Sequence, residues 1–136
     1  MNIYVIIPAG GSGSRYSSQT SKLTEIICNT PIIVHSIQPF ITHPTIRGII
    51  IPSPEDLQSI ISNHYPNTDD KITYCKPGKT RAESVANAIK VMPNTATHIL
   101  IHDAARPNVS PLLMDRILEA LNKHTVVISG VPVTDT

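Results

Sequence analysis

Charge is scarce in this chain of 136 residues: Asp, Glu, Lys and Arg together make up 15% of it, against roughly 25% in an average domain. The formal net charge is only +1, and the 11 Lys and Arg residues are scattered rather than clustered. Without a basic run, the electrostatic footprint of a nucleic-acid or anionic-membrane partner is missing, and neither partner is expected. No stretch reaches the roughly 18 apolar residues that a membrane span requires. The N-terminus has no charged segment leading to a cleavage site, so a secreted protein is not expected either. Cysteine is equally sparse. Cys28 and Cys75 stand far apart with no metal-ligand spacing, and they read as two reduced thiols of a cytoplasmic protein.

What the chain has instead is isoleucine and valine, within a hydrophobic content of 40%. β-Branched apolar runs suit buried parallel strands. The length predicts one domain, residues 1–136, with a real core but small for an α/β enzyme. Most of the 12 prolines fall at element boundaries.

Strand and helix signals alternate from end to end. A strand is predicted over about 2–7, then a helix over about 31–41 with Pro31 at its first position and Ile33, Val34 and Ile37 on one face. Ile49–Ile51 reads as a second strand. Ser53-Pro54-Glu55-Asp56 opens a helix whose inward stripe is Leu57, Ile60 and Ile61. A third strand covers about 71–75. Thr80-Arg81-Ala82-Glu83 is a capping box, with Val85, Ile89 and Met92 predicted to pack the helix behind it. Ile99–Ile101 is a fourth strand, and Ser110-Pro111 opens a helix with the stripe Leu113, Ile117 and Leu121. A fifth strand is expected through Val126, Val127 and Ile128 towards Val133. Repeated βα units predict a doubly wound, mostly parallel α/β sheet, with ligands at the carboxyl ends of its strands. The last strand has no covering helix after it, which reads as a chain cut short on its C-terminal side.

Three clusters carry chemistry. Pro8-Ala9-Gly10-Gly11-Ser12-Gly13-Ser14-Arg15 follows the first strand. Its glycines free backbone N–H groups to face phosphate oxygens, and Arg15 and Lys22 add mobile positive charge. The run begins like a dinucleotide fingerprint, but Tyr16 stands where the third glycine belongs and no acidic residue follows at a strand end. No Gly-Lys-Ser/Thr follows this loop at Walker spacing. The alternative reading is a plain strand-to-helix connection. The second cluster, Gly78-Lys79-Thr80-Arg81-Ala82-Glu83-Ser84, lies at a helix N-terminus, which favours anions or polar base edges. Glu83 is assigned to the cap, leaving Arg81 and Ser84 to face a ligand. The third is His102-Asp103-Ala104-Ala105-Arg106-Pro107. A carboxylate at the carboxyl end of a central strand can hold Mg²⁺ beside a triphosphate, or it can pair with Arg106 to brace a loop. Ala104 and Ala105 are small enough to let a ribose approach the backbone. His35 and His43 stand alone and read as structural, and His102 lacks a second ligand at usable spacing.

In this order the clusters, together with Pro132-Val133-Thr134-Asp135-Thr136, resemble the 2-C-methyl-D-erythritol 4-phosphate cytidylyltransferases of non-mevalonate isoprenoid biosynthesis. The likeness covers essentially the whole chain. It implies a Rossmann-like nucleotidyltransferase of the nucleotide-diphospho-sugar transferase type, with CTP and methylerythritol phosphate as substrates and Mg²⁺ as cofactor. Carried onto matching positions, Pro8, Ala9, Gly10, Gly11 and Gly13 would wrap the CTP phosphates, and Gly78, Arg81 and Ser84 would read cytosine. Asp103 would bind Mg²⁺, with Ala104 against the ribose. Arg15 and Lys22 would be catalytic, stabilising the α-phosphate in the transition state, while Arg106, Asp135 and Thr136 would meet the acceptor. The family usually has Pro before the catalytic lysine and Gln after it, where this chain has Ser21 and Leu23, and Lys76-Pro77-Gly78 replaces a more usual glycine pair. Family members continue beyond this length with a projecting β-arm that builds a homodimer, absent here. They also supply an antiparallel strand beside the fourth predicted strand, whose edge would otherwise be bare and apolar. Ribitol-5-phosphate cytidylyltransferases share much of the pattern and remain the alternative, as does an inactive CTP-binding remnant.

Overall fold

The computed structural model describes residues 1–11, 22–68 and 70–132. Six strands and four helices are found among them. They are β1 Ile3–Ile6, β2 Ile26–Ile27, β3 Thr30–Pro31, α1 Ile32–Ile41, β4 Ile46–Pro52, α2 Glu55–His64, β5 Ile72–Cys75, α3 Arg81–Val91, β6 His98–Ile101 and α4 Pro111–Leu121. Four strands form one parallel sheet in the order β5-β4-β1-β6. β1 lies between β4 and β6, with Ile3 opposite Ile46 on one side and His98 on the other. This is the predicted doubly wound α/β sheet.

Both faces of the sheet carry helices, as parallel strands require, though the Ile6 face stays partly open at β6. Ile3, Val5 and Ile7 point to one face, where they meet Ile33, Val34, Ile37 and Phe40 of α1, Leu57 and Ile61 of α2 and Met114 of α4. Ile6 and Ile50 point the other way onto Ala88 of α3. Each fully buried isoleucine contributes about 1.5–3 kcal/mol relative to exposure, and eight of the largest wholly enclosed side chains come from β1, its extension Ile7, and β4. No helix among the described residues is long and apolar enough to cross a membrane.

Several predicted elements are corrected in detail. Pro31 caps α1 rather than occupying its first turn. Ser53 does not cap α2, because its hydroxyl turns back to the Ile51 carbonyl at 3.1 Å. In α3 Val85 and Met92 pack against the Ile6, Ile50 and Ala88 cluster as predicted, but the buried residues are Ser84 and Ala88 and Ile89 is 49% exposed; two small residues spaced i, i+4 let the helix lie close on the sheet. In α4 the wholly buried residue is Met114, while Leu113, Ile117 and Leu121 line a groove of about 1080 Å³ along β6.

The largest correction concerns the fifth predicted strand. Val126, Val127 and Ile128 form no strand, and Val126, Ile128 and Val131 are 75%, 88% and 89% exposed. A β-branched run becomes a strand only against a hydrogen-bonding neighbour. The groove separates this run from the free edge of β6, where Ile99 and Ile101 stay exposed. The β2–β3 ribbon was not foreseen. It turns through Cys28 and Asn29, both at positive φ, the backbone of a type I′ hairpin turn that usually announces itself as Asn-Gly.

Candidate functional site

In a sheet of this order the strand direction of winding reverses beside β1, and the crevice at the carboxyl ends there is the general ligand position. Here that crevice is a cleft of about 330 Å³ lined by Pro8, Gly10, Gly11, Lys22, Leu23, Gly78, Thr80, Arg81, Ser84, Asp103, Ala104 and Ala105. Three separate loops and the short turn at Lys22–Thr24 thus converge.

Each loop is held by its own bonds. After β1, the Ile7 and Ala9 amides donate to the Ile50 and Pro52 carbonyls at 3.0 and 2.9 Å. Ala9 is therefore buried, with its N–H already engaged, while Gly10 and Gly11 face the cleft. After β5, the Thr80 hydroxyl accepts from the Glu83 amide at 3.1 Å, and the Glu83 carboxylate accepts from the Lys79 amide at 2.7 Å. That is the predicted capping box with its return bond moved one residue outward. Ser84 braces the same turn: its hydroxyl accepts from the Gly78 amide at 2.9 Å and donates to the Thr80 carbonyl at 3.0 Å.

After β6, Asp103 is the hub. Arg81 donates to Oδ1 through Nε at 3.0 Å and lies 2.9 Å from it through Nη2, and Arg106 donates to Oδ2 at 3.0 Å. Partial burial pushes the Asp103 carboxyl up, but the hydrogen bond and charge of Arg81, then those of Arg106, hold it below the ordinary carboxylate range. Burial lowers the neighbouring His102, outweighing the raising effects of the Arg106 carbonyl and the Asp103 charge. The loop-bracing alternative for Asp103 and Arg106 is thus realised in geometry.

The other expected residues fall into two groups. Arg106 lines the groove beside β6 rather than the cleft. Gly13, Arg15, Asp135 and Thr136 lie outside the described residues. Among the described residues no three His, Cys, Asp or Glu side chains group as a metal site. A lone carboxylate is nonetheless a fitting donor for Mg²⁺, which commonly takes one or two carboxylates and completes its shell with substrate phosphates and water. Asp103 has oxygens with lone pairs beyond those its arginines use. Sequence reasoning missed Leu23, which reaches the cleft from the core, and Ser36 of α1, whose buried hydroxyl donates to the Ala104 carbonyl at 2.7 Å. Neither carries a motif.

A doubly wound parallel sheet with a glycine loop behind its first strand and basic side chains at its crevice defines a nucleotide-handling α/β domain. The sequence model described as "IspD: 2-C-methyl-D-erythritol 4-phosphate cytidylyltransferase" matches residues 3–136. The chain belongs to that family of nucleotidyltransferases. It is 37% identical over 133 residues to a "Bifunctional enzyme IspD/IspF" of Desulfotalea psychrophila, covering 97% of this chain and 34% of the relative. It is 34% identical over 135 residues to a 2-C-methyl-D-erythritol 4-phosphate cytidylyltransferase of Prochlorococcus marinus subsp. pastoris, covering 98% of this chain and 60% of the relative. Among solved structures, the 4-diphosphocytidyl-2C-methyl-D-erythritol synthase of Anaerococcus prevotii superposes with a TM-score of 0.75 at 25% identity, over 90% of this chain and 52% of that one. The chain therefore spans about 60% of the length of a single-function relative.

Proposed function

We propose that the protein transfers the cytidylyl group of CTP to the phosphate of 2-C-methyl-D-erythritol 4-phosphate, releasing pyrophosphate, with residues 1–136 acting as one nucleotidyltransferase domain. An acceptor phosphate oxygen forms a bond to the α-phosphorus as the bond to the β-phosphate oxygen breaks in line. Such chemistry depends on positioning and charge neutralisation more than on a general base. The observation that carries the reading is the convergence of Gly10 and Gly11, Lys22, Arg81 and Asp103 on one cleft of nucleotide-accepting size.

In this reading Pro8, Gly10 and Gly11, continuing through Gly13, wrap the triphosphate, with Ala9 anchoring their loop from below. Lys22 and Arg15 stabilise charge on the α-phosphate. Gly78, Arg81 and Ser84 meet the cytosine, and Ala104 lies against the ribose. Asp103 would hold Mg²⁺, which when bound supplies further neutralisation of the triphosphate. Asp135 and Thr136 meet the methylerythritol phosphate acceptor, and Arg106 supports that region. A cytoplasmic location goes with this reading.

The test is pyrophosphate release with CTP and Mg²⁺, run separately with methylerythritol phosphate and ribitol 5-phosphate. Release with the first acceptor supports the reading. Release only with the second would make the protein a ribitol-5-phosphate cytidylyltransferase, and CTP binding without release would make it a binding remnant.

A further inference from the structure

The loop from His102 to Arg106 presents Asp103 and Ala104 to the cleft, and it is fixed from behind by residues that no motif marks. Ser36 sits mid-helix in α1 and is wholly buried. Its hydroxyl lies 2.7 Å from the Ala104 carbonyl and 3.1 Å from the Ile32 carbonyl of its own helix. A hydroxyl has one proton to donate, and the shorter contact is the one to the loop. One helical turn on, the ring of Phe40 stacks at a tilt against His102 with centroids 5.0 Å apart. The His102 Nε2 in turn donates to the Arg106 carbonyl at 2.9 Å, while the Arg106 amide donates to the Asp103 carbonyl at 3.1 Å. The carbonyls of residues 103, 104 and 106 are each engaged. A single face of α1 supplies two of the fixing points.

We propose that Ser36 and His102 are positioning residues that set the height and orientation of the Asp103–Ala104 segment in the cleft. Neither lines the cleft, so each acts through the loop it holds. A serine in a helix interior gains little by bonding its own i−4 carbonyl, and that bond tends to bend the helix. A wholly buried hydroxyl aimed at a loop carbonyl instead transmits the position of the core to the site. His102 contributes as a donor of fixed reach: glutamine can place an N–H where Nε2 stands, and alanine cannot.

The proposal rests on the reading of the cleft as a CTP site, and its test separates the two. Ser36→Ala, His102→Ala, His102→Gln and, as a control, Ile61→Val in α2 are compared with the unaltered chain. CTP affinity is read by calorimetry and loop order by amide hydrogen exchange. Ser36→Ala and His102→Ala are expected to weaken CTP binding tenfold or more and to speed exchange at the Arg106 amide. His102→Gln should recover both, and Ile61→Val should lower the melting temperature while leaving both unchanged. Wild-type affinity and exchange in Ser36→Ala, or a His102→Gln variant as impaired as His102→Ala, would overturn the proposal. If the unaltered chain binds no CTP, the reading of the cleft fails, and the exchange measurements alone still decide whether these residues hold the loop.

Discussion

Replacing Gly10 with alanine should drive apart two of the loops that frame the cleft. A Cβ on Gly10 would fall inside contact distance of Pro77 Cβ and lie 3.1 Å from Pro77 Cγ and 3.4 Å from Pro77 Cα. Carbon pairs rest at about 3.5–4.0 Å, and a proline ring cannot swing aside because it is closed onto its own backbone. The loops must therefore separate by on the order of 1 Å. Overpacking of this kind costs about 1–3 kcal/mol, and a 1 Å misplacement at a site can cost on the order of 100-fold in function. Gly11 is the built-in control for stability, since an added Cβ there meets nothing within 4 Å. Urea denaturation of both variants, followed by calorimetric titration with CTP, reads the two consequences. Gly10→Ala should show the lower midpoint and weaker binding, and Gly11→Ala should stay within about 0.5 kcal/mol of the unaltered protein. Equal midpoints for the two variants would refute the close approach of these loops.

Lys22→Ala should reduce pyrophosphate release by about 2.7–4 kcal/mol of transition-state stabilisation, the cost of losing one oxyanion donor; near-normal turnover would remove Lys22 from the chemistry. Ile37, wholly buried in α1, should cost about 2–5 kcal/mol when cut to alanine, read as a lowered urea midpoint. Burial pushes the Tyr65 hydroxyl up to about 12. Its stabilising effect is therefore complete below about pH 10, the ordinary tyrosine value, and is lost between there and pH 12. Tyr65→Phe should flatten that alkaline fall in stability, and an unchanged fall would assign it to other groups. Asp103 is held below its ordinary value by its two arginines, so its contribution is present above about pH 4 and lost as the pH drops through the folded value. The stability gap between the unaltered protein and Asp103→Asn should narrow from pH 7 to pH 3, and by little in total, because these pairs are largely exposed.

Much of the sheet was legible because burial on both faces writes itself as an apolar run, interrupted only by Tyr4 in Ile3–Ile7 and unbroken in Ile49–Ile51. Helix starts with capping chemistry were equally plain: Thr80 and Ser110 accept from the Glu83 and Leu113 amides as their positions suggest. Inward faces were harder to read. In α3 the stripe rule found Val85 and Met92 but missed Ser84 and Ala88, whose smallness is what allows the approach. The run at Val126–Ile128 has strand composition, but strand formation is a property of a pair, and one partner's composition cannot report it. The cleft could be assembled because glycine, arginine and aspartate recur at the ends of strands. Ser36 could not, since its one informative bond reaches a carbonyl 68 residues away, and a backbone acceptor leaves no trace in residue identity.

The place of β1 in the middle of the sheet has a consequence for synthesis. Ile3–Ile6 leave the ribosome well before His98–Ile101, one of their two neighbours. At about 5–20 residues per second, β1 waits several seconds for β6 with an aliphatic flank uncovered. The nascent chain in that interval is a natural client for chaperones, and a translational pause before codon 98 would lengthen its exposure.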